Sequence, residues 1–242
     1  MTKLLIAGDT HGDIAHIDYL ADIAKEHEVD GVVQLGDFGY TFTEDFIAAC
    51  HALTVVTAAP LWWLAGNHDD ANHIDFRLHD VVDTPVPLWP EAPNVLYVPR
   101  GMTWNVGETR FMGLGGAVSI DMHHRTPNVS WWPQEAVTDA DVARAEAAGV
   151  VDVMFTHDAP VGVNPLELIL PSLRDRSLER SCTANRRRVA MAVEACKPRL
   201  LFHGHYHYRY DGMWRAGNGR QTQVVGLGCN GQGEDSWQIL SL

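Results

Sequence analysis

The feature that most constrains this chain is a set of short apolar runs, each ending on a block of polar, metal-binding residue types. Leu4 to Ala7 runs into Gly8-Asp9-Thr10-His11, Val32 to Leu35 into Gly36-Asp37, and Leu61 to Ala65 into Gly66-Asn67-His68-Asp69. Further on, Val151 to Phe155 leads to His157, and Leu200 to His203 leads to Gly204-His205-Tyr206-His207. Runs of this length bounded by turn residues read as buried strands. A strand that ends this way delivers its polar block to the carboxyl edge of an α/β sheet, where such sheets place their ligands.

The segments between these runs fit the same picture. Ile14, Ile17, Leu20, Ala21 and Ile23 recur at helical spacing between Ile14 and His27, with Asp13 placed to cap the helix. Phe42 to Ala52 also reads as a helix, so the first third of the chain is β-α-β-α-β. The stretch from Pro85 to Pro99 is rich in proline, and Met102 to Val106 with Arg110 to Leu114 form a hairpin around Gly107-Glu108. A helix through Ala148 is capped by Thr138 or Asp139, and another spans Ala184 to Cys196, capped by Thr183 or Ser181. Two late strands are expected near Gln221 to Gly226 and Ser236 to Leu242. With no internal repeat or low-complexity linker, the 242 residues are expected to form one domain over residues 1–242.

Taken in order, the blocks read D-x-H, G-D, G-N-H-D, a lone H and G-H-x-H. That pattern resembles the signature of the calcineurin-like metallophosphoesterase superfamily, and nearly all of the chain lies within or just beyond it. The resemblance implies an α/β fold of two facing mixed β-sheets flanked by helices, in four layers α/β/β/α. It also implies two metal ions, one held by Asp9, His11, Asp37 and His207 and the other by Asp37, Asn67, His157 and His205, with Asp37 bridging. Two details bear on the branch. Gly36-Asp37-Phe38-Gly39-Tyr40 lacks the second aspartate and the arginine of the G-D-x-x-D-R-G block in the serine/threonine phosphatases, which points away from protein phosphatase activity. Gly113-Leu114-Gly115-Gly116-Ala117, followed by Trp131-Trp132, is similar to small single-domain members from phages and bacteria.

The chemistry expected of such a site follows from charge. Imidazole, carboxylate and amide oxygen without sulfur suit borderline first-row ions, Mn²⁺ or Fe²⁺ first and Zn²⁺ as a further option. Two such cations lower the pKa of a shared water, supply hydroxide near neutral pH and hold the phosphate oxygens. His68, beside Asn67, is expected at the leaving oxygen as a catalytic residue, with Asp69 orienting its imidazole; the alternative for Asp69 is a cap on the next helix. Asn67, His68 and Arg125 are the candidate substrate contacts. Trp131-Trp132 can stack on a nucleobase or anchor a loop on the core. The basic run Arg174, Arg176, Arg180, Arg186, Arg187 and Arg188 reads as a solvated helix face, with a lid over the metals as the alternative. His16, His27, His51, His73, His79, His123 and His124 match no block and read as surface or supporting residues.

A formal charge of −13 opposes binding to extended nucleic acid, because affinity there comes from Lys and Arg neutralising phosphates. No apolar run reaches the ~20 residues of a membrane span. The apolar start is too short for a signal peptide, so a cytoplasmic location without a membrane partner is expected. Cys50, Cys182, Cys196 and Cys229 form no close pair and read as free thiols rather than zinc ligands. The function expected is a metal-dependent phosphodiesterase acting on small or cyclic nucleotides. A nuclease or broad phosphomonoesterase is the alternative, and a non-enzymatic metal-binding scaffold a more distant one.

Overall fold

A computed structural model of the chain describes residues 2–74, 78–170 and 173–242. The strands are β1 (Lys3–Ala7), β2 (Gly31–Gln34), β3 (Leu61–Trp63), β4 (Val86–Pro87), β5 (Val95–Tyr97), β6 (Met102–Val106), β7 (Thr109–Leu114), β8 (Val153–Thr156), β9 (Leu200–His203), β10 (Tyr210–Arg215), β11 (Gln221–Gly226) and β12 (Trp237–Ser241). The helices are α1 (Ile14–Glu26), α2 (Glu44–Thr57), α3 (Leu78–Val81), α4 (Asp139–Ala148), α5 (Leu166–Ile169) and α6 (Arg176–Cys196). Among the described residues two mixed six-stranded sheets form, ordered β12-β1-β2-β3-β5-β4 and β10-β11-β9-β8-β7-β6. In each, four central strands run parallel and the outermost strands pair antiparallel.

The four layers follow from strand alternation. Along β1, Leu4 and Ile6 join the cluster between the sheets, with Val33, Leu64, Phe155 and Phe202. Leu5 and Ala7 face the opposite way and pack with Ile17 and Leu20 of α1 and Phe46 and Leu53 of α2. On the second sheet Met112, Met154 and Leu201 meet Val142 of α4 and Val189 and Val193 of α6. Both faces of the central strands are therefore buried, which is why they read as continuous apolar runs rather than alternating ones. Burial of such clusters is the main favourable term in folding.

Helix starts follow capping chemistry. Asp13 accepts from His16 N–H at 3.2 Å, Thr43 from Phe46 N–H at 3.3 Å, and Thr138 shares a reciprocal capping box with Asp141. The long helix departs from expectation. It begins at Arg176 rather than Ala184, and its cap is Asp175, which accepts from Ser177 N–H at 2.8 Å and Leu178 N–H at 3.1 Å. Ser181 and Thr183 instead donate back to the carbonyls of Ser177 and Glu179 within the helix. Its first turns carry few apolar residues, so hydrophobic spacing alone starts the helix too late. The proline-rich stretch contributes β4 and β5, and β10 is a strand that the sequence pattern does not announce. His16 and His79 are buried, not surface residues; His79 bonds Tyr97 Oη at 2.8 Å and faces Asp141. No described helix is long and apolar enough to cross a membrane.

Candidate metal centre

The carboxyl ends of β1, β2, β3, β8 and β9 converge, and the seven expected ligands come together there. One oxygen or nitrogen from each of Asp9, His11, Asp37 and His207 lies within 4.8 Å of the others, and the same holds for Asp37, His157 and His205. Asp37 belongs to both groups. His207 Nε2 is 3.0 Å from Asp9 Oδ2, and His11 Nε2 is 3.8 Å from Asp37 Oδ2. His157 Nε2 is 3.3 Å from Asp37 Oδ1 and 3.0 Å from Asn67 Oδ1. Asp9, Asp37, Asn67 and His157 are all buried.

Packing so many polar groups at one point requires unusual backbone. His11, Asp37, His205 and His207 adopt positive φ, between 51° and 68°. Non-glycine residues in this region are uncommon, and asparagine, aspartate and histidine tolerate it best. Gly66 and Gly204 serve a different need, close approach: a Cβ on Gly66 would stand 2.1 Å from Asp37 Oδ1, and one on Gly204 2.0 Å from Asp9 Oδ1. The buried carboxylates then accept backbone hydrogen bonds, Asp37 Oδ1 from His68 N–H at 2.8 Å and Asp9 from His205 N–H at 3.0 Å.

The donor set fits cations. His157 Nδ1 donates to the Leu35 carbonyl at 2.8 Å, so in the neutral ring Nε2 is a lone pair. Asn67 turns its oxygen towards that lone pair because its amide nitrogen donates to Ser119 Oγ at 3.1 Å. Ser119 in turn donates to Glu135 Oε2 at 2.6 Å. Two acceptors 3.0 Å apart in a buried site need a positive charge between them. With a proton in that role, burial opposes the charged ring, but Asp37 overrides it and His157 is pushed up to about 10. A divalent cation held by these residues would fill the same role in place of that proton. Burial also opposes charge on Asp37, yet His157 and His11 hold its carboxyl well below the ordinary range.

Supporting residues hold the ligands in place, as in most metal sites. His11 Nδ1 donates to Asn230 Oδ1 at 2.8 Å, and the Asn230 amide nitrogen donates to Asp13 Oδ2 at 3.0 Å. The Tyr40 ring stacks on His11 with centroids 5.3 Å apart. Ser119, Glu135, Asn230 and Tyr40 lie outside the residues that sequence reasoning selects. Only Tyr40 carries a signal, its place directly after the G-D block; the others come from distant loops of unremarkable composition.

The remaining expected residues separate. Arg125 Nη2 lies 2.6 Å from His68 Nε2, and Arg125 Nε donates to Asp121 at 2.9 Å, so the arginine sits at the histidine with its charge shared. Burial, assisted by Arg125, moves His68 down to about 4. Asp69 is not on the His68 imidazole. Its Oδ1 accepts from Phe38 N–H at 2.8 Å and Gly39 N–H at 2.9 Å, and its Oδ2 from Gly66 N–H at 2.8 Å, which ties the loop after β2 to the loop after β3. A buried carboxylate gains more from three amide donors than from one imidazole. Trp132 is buried and anchors its loop. Of the basic run, Arg180 and Arg187 are exposed and Arg176 pairs with Glu179, but Arg186 is buried, bonded to Glu167 and the Pro160 carbonyl. It lines a cavity of about 700 Å³ that opens beside Asp37, Asn67, His68 and His205.

Residues 2–209 match the family profile of the calcineurin-like phosphoesterases. The chain belongs to that family, whose members are phosphoric ester hydrolases that typically bind two divalent metals. No curated protein matches the sequence. Among solved structures the chain is similar to TT1561 of Thermus thermophilus, with a TM-score of 0.57, 12% identity, and coverage of 99% of this chain and 98% of that one. A second solved chain gives a TM-score of 0.60 at 14% identity over 98% of this chain and 94% of that one. A structure described as a novel archaeal phosphodiesterase covers 100% of both chains at 11% identity, with a TM-score of 0.45. At these identities the first two likenesses concern the fold.

The Asp69 contacts generate a test. Asp69→Ala leaves three buried N–H donors without partners, each worth about 1–3 kcal/mol, so unfolding free energy is expected to fall by about 3–5 kcal/mol after partial relaxation. Urea denaturation measures it. A change within about 1 kcal/mol, with turnover lost instead, would return Asp69 to a role on His68.

Proposed function

We propose that the chain is a two-metal phosphodiesterase that hydrolyses small or cyclic nucleotides. The observation that supports this reading is the sharing of Asp37 between the two ligand groups, since a bridging carboxylate is what a dinuclear site requires. Asp9, His11, Asp37 and His207 would hold one ion, and Asp37, Asn67, His157 and His205 the other. When bound, Mn²⁺, Fe²⁺ or Zn²⁺ ions supply an acidified water and positive charge for the phosphate oxygens.

The chain's own residues would do the rest. His68 lines the cavity, and Arg125 stands against its imidazole. Arg125 Nη2 stands 2.5 Å from His68 Nδ1 and 2.6 Å from Nε2, so the guanidinium lies against the whole imidazole and disfavours a second positive charge on it. His68 would stand beside the leaving oxygen and donate to it, with Arg125 adding positive charge. Asp69 would keep the two ligand loops in register, and Asn67 would serve both an ion and the phosphate. The cavity volume suits one nucleotide, within the usual ~300–1,000 Å³ of small-molecule sites.

The balance of charge favours a diester. Asp121, Asp158, Glu167 and Glu179 line the cavity, while Arg186 is committed to Glu167 and Arg125 shares its charge with Asp121. A monoester dianion meets less complementary charge there than a diester monoanion. The acidic lining and the net charge also disfavour the nuclease alternative. No expected ligand is replaced, as would mark a non-enzymatic scaffold.

With Mn²⁺ supplied, kcat/KM should be higher for bis-nitrophenyl phosphate and cyclic nucleotides than for nitrophenyl phosphate. A clear monoester preference would refute the diesterase assignment. His68→Ala should retain fold and bound metal while turnover drops by roughly 10²–10⁴, with the smallest loss on good leaving groups. Equal losses on nitrophenyl and alkyl esters would remove His68 from the leaving-group side.

A further inference from the structure

One cysteine is part of this centre, although nothing in the sequence pattern places it there. A ring nitrogen of His11, a ring nitrogen of His207 and the sulfur of Cys229 all lie within 4.8 Å of one another. Asp9 and Asp37 are not members of that group. The two histidines therefore stand between two alternative sets of partners, a pair of carboxylates and a thiol.

The position of Cys229 is built rather than incidental. It forms a parallel bridge with Asp9, and its N–H donates to Gln232 Oε1 at 3.0 Å. Gln232 Nε2 donates to the His207 carbonyl at 3.2 Å. The next residue, Asn230, donates its N–H to the Asp9 carbonyl at 2.8 Å and holds His11 Nδ1 through its side chain at 2.8 Å. One short loop thus fixes Asp9, His11 and His207 and carries the thiol among them. Cys229 is partly accessible and free of any disulfide.

We propose that His11, His207 and Cys229 form an alternative site for a thiophilic divalent cation such as Cd²⁺. Occupation of this site withdraws both histidines from Asp9 and Asp37. Two imidazoles and a thiolate, with water as the fourth ligand, are a normal tetrahedral set for zinc. Bond lengths of about 2.0 Å to nitrogen and 2.3 Å to sulfur put the ligand atoms roughly 3.5 Å apart. The observed group needs only small side-chain movements to close to that size. On binding, the S–H bond breaks, the proton passes to solvent and the sulfur–metal bond forms, with no change of oxidation state. Soft sulfur discriminates against Mn²⁺, so the thiol set selects by ion type. A soft ion would then act as an inhibitor of the hydrolytic site by competing for His11 and His207. The site itself stands whether or not the hydrolase acts on diesters.

The test reads sulfur directly. Cd²⁺ alone, added to the reduced, metal-free full chain, should produce an ultraviolet sulfur-to-cadmium charge-transfer band that saturates at one equivalent. Cys229→Ser should abolish the band, and Cys182→Ser, on the cavity lining and outside this group, should retain it. A band missing from the parent protein, or unchanged in Cys229→Ser, would overturn the proposal. The unmutated protein gives a second measurement that is independent of whether the variant folds. Cd²⁺ should protect Cys229 from alkylation, mapped by peptide mass, and equal labelling with and without Cd²⁺ would also overturn it.

Discussion

Two carboxylates removed from water, those of Asp9 and Asp37, set the terms for everything around them. A buried charge is expensive unless it is hydrogen-bonded and balanced by opposite charge. Backbone N–H groups of His68 and His205 supply the first requirement, and four histidines aimed at the carboxylates supply the second when a proton or a cation joins them. That demand explains the backbone. Four of the ligand residues take left-handed conformations, at a cost of order 1–3 kcal/mol each, because no extended or helical path brings them to one point. The motif glycines follow from the same crowding, since a single Cβ would collide with a carboxylate oxygen.

The layers supply what the strained loops lack. Strands covered on both faces make a rigid base, and each ligand loop leaves that base at a strand end, so the strain is carried by buried, close-packed structure. Asp69 adds a local tie: by accepting amides from the loops after β2 and β3 it fixes Asp37 relative to Asn67. The cavity lining mixes the polar residues of the centre with aliphatic Val118, Ile120 and Leu170.

Much of this was legible in the sequence, for a physical reason. Strands buried on both faces cannot alternate, and ligands at their ends must be aspartate, asparagine or histidine, so both signals survive in the linear order from Asp9 to His207. The candidate ligands were visible as residues, but the groups that hold them in place were not. Ser119, Glu135 and Asn230 act through single hydrogen bonds to residues far away in the chain, and no local pattern marks them. The role of Asp69 was misread because adjacency in sequence suggested its neighbour His68, whereas the chain turns the carboxylate back onto amides. The start of α6 was missed because its first two turns hold one buried residue, Leu178. Cys229 read as an isolated thiol, and only the bridge to Asp9 brings it beside His11 and His207.

The central claim is that Asp37 serves two cations at once. Crystals of the Mn²⁺-loaded protein, with diffraction recorded at the manganese absorption edge, test it most directly. Two anomalous peaks about 3.5–4 Å apart, one on each side of the Asp37 carboxylate, are the expected result. A single peak at full occupancy, or two peaks of which only one contacts Asp37, would contradict the account.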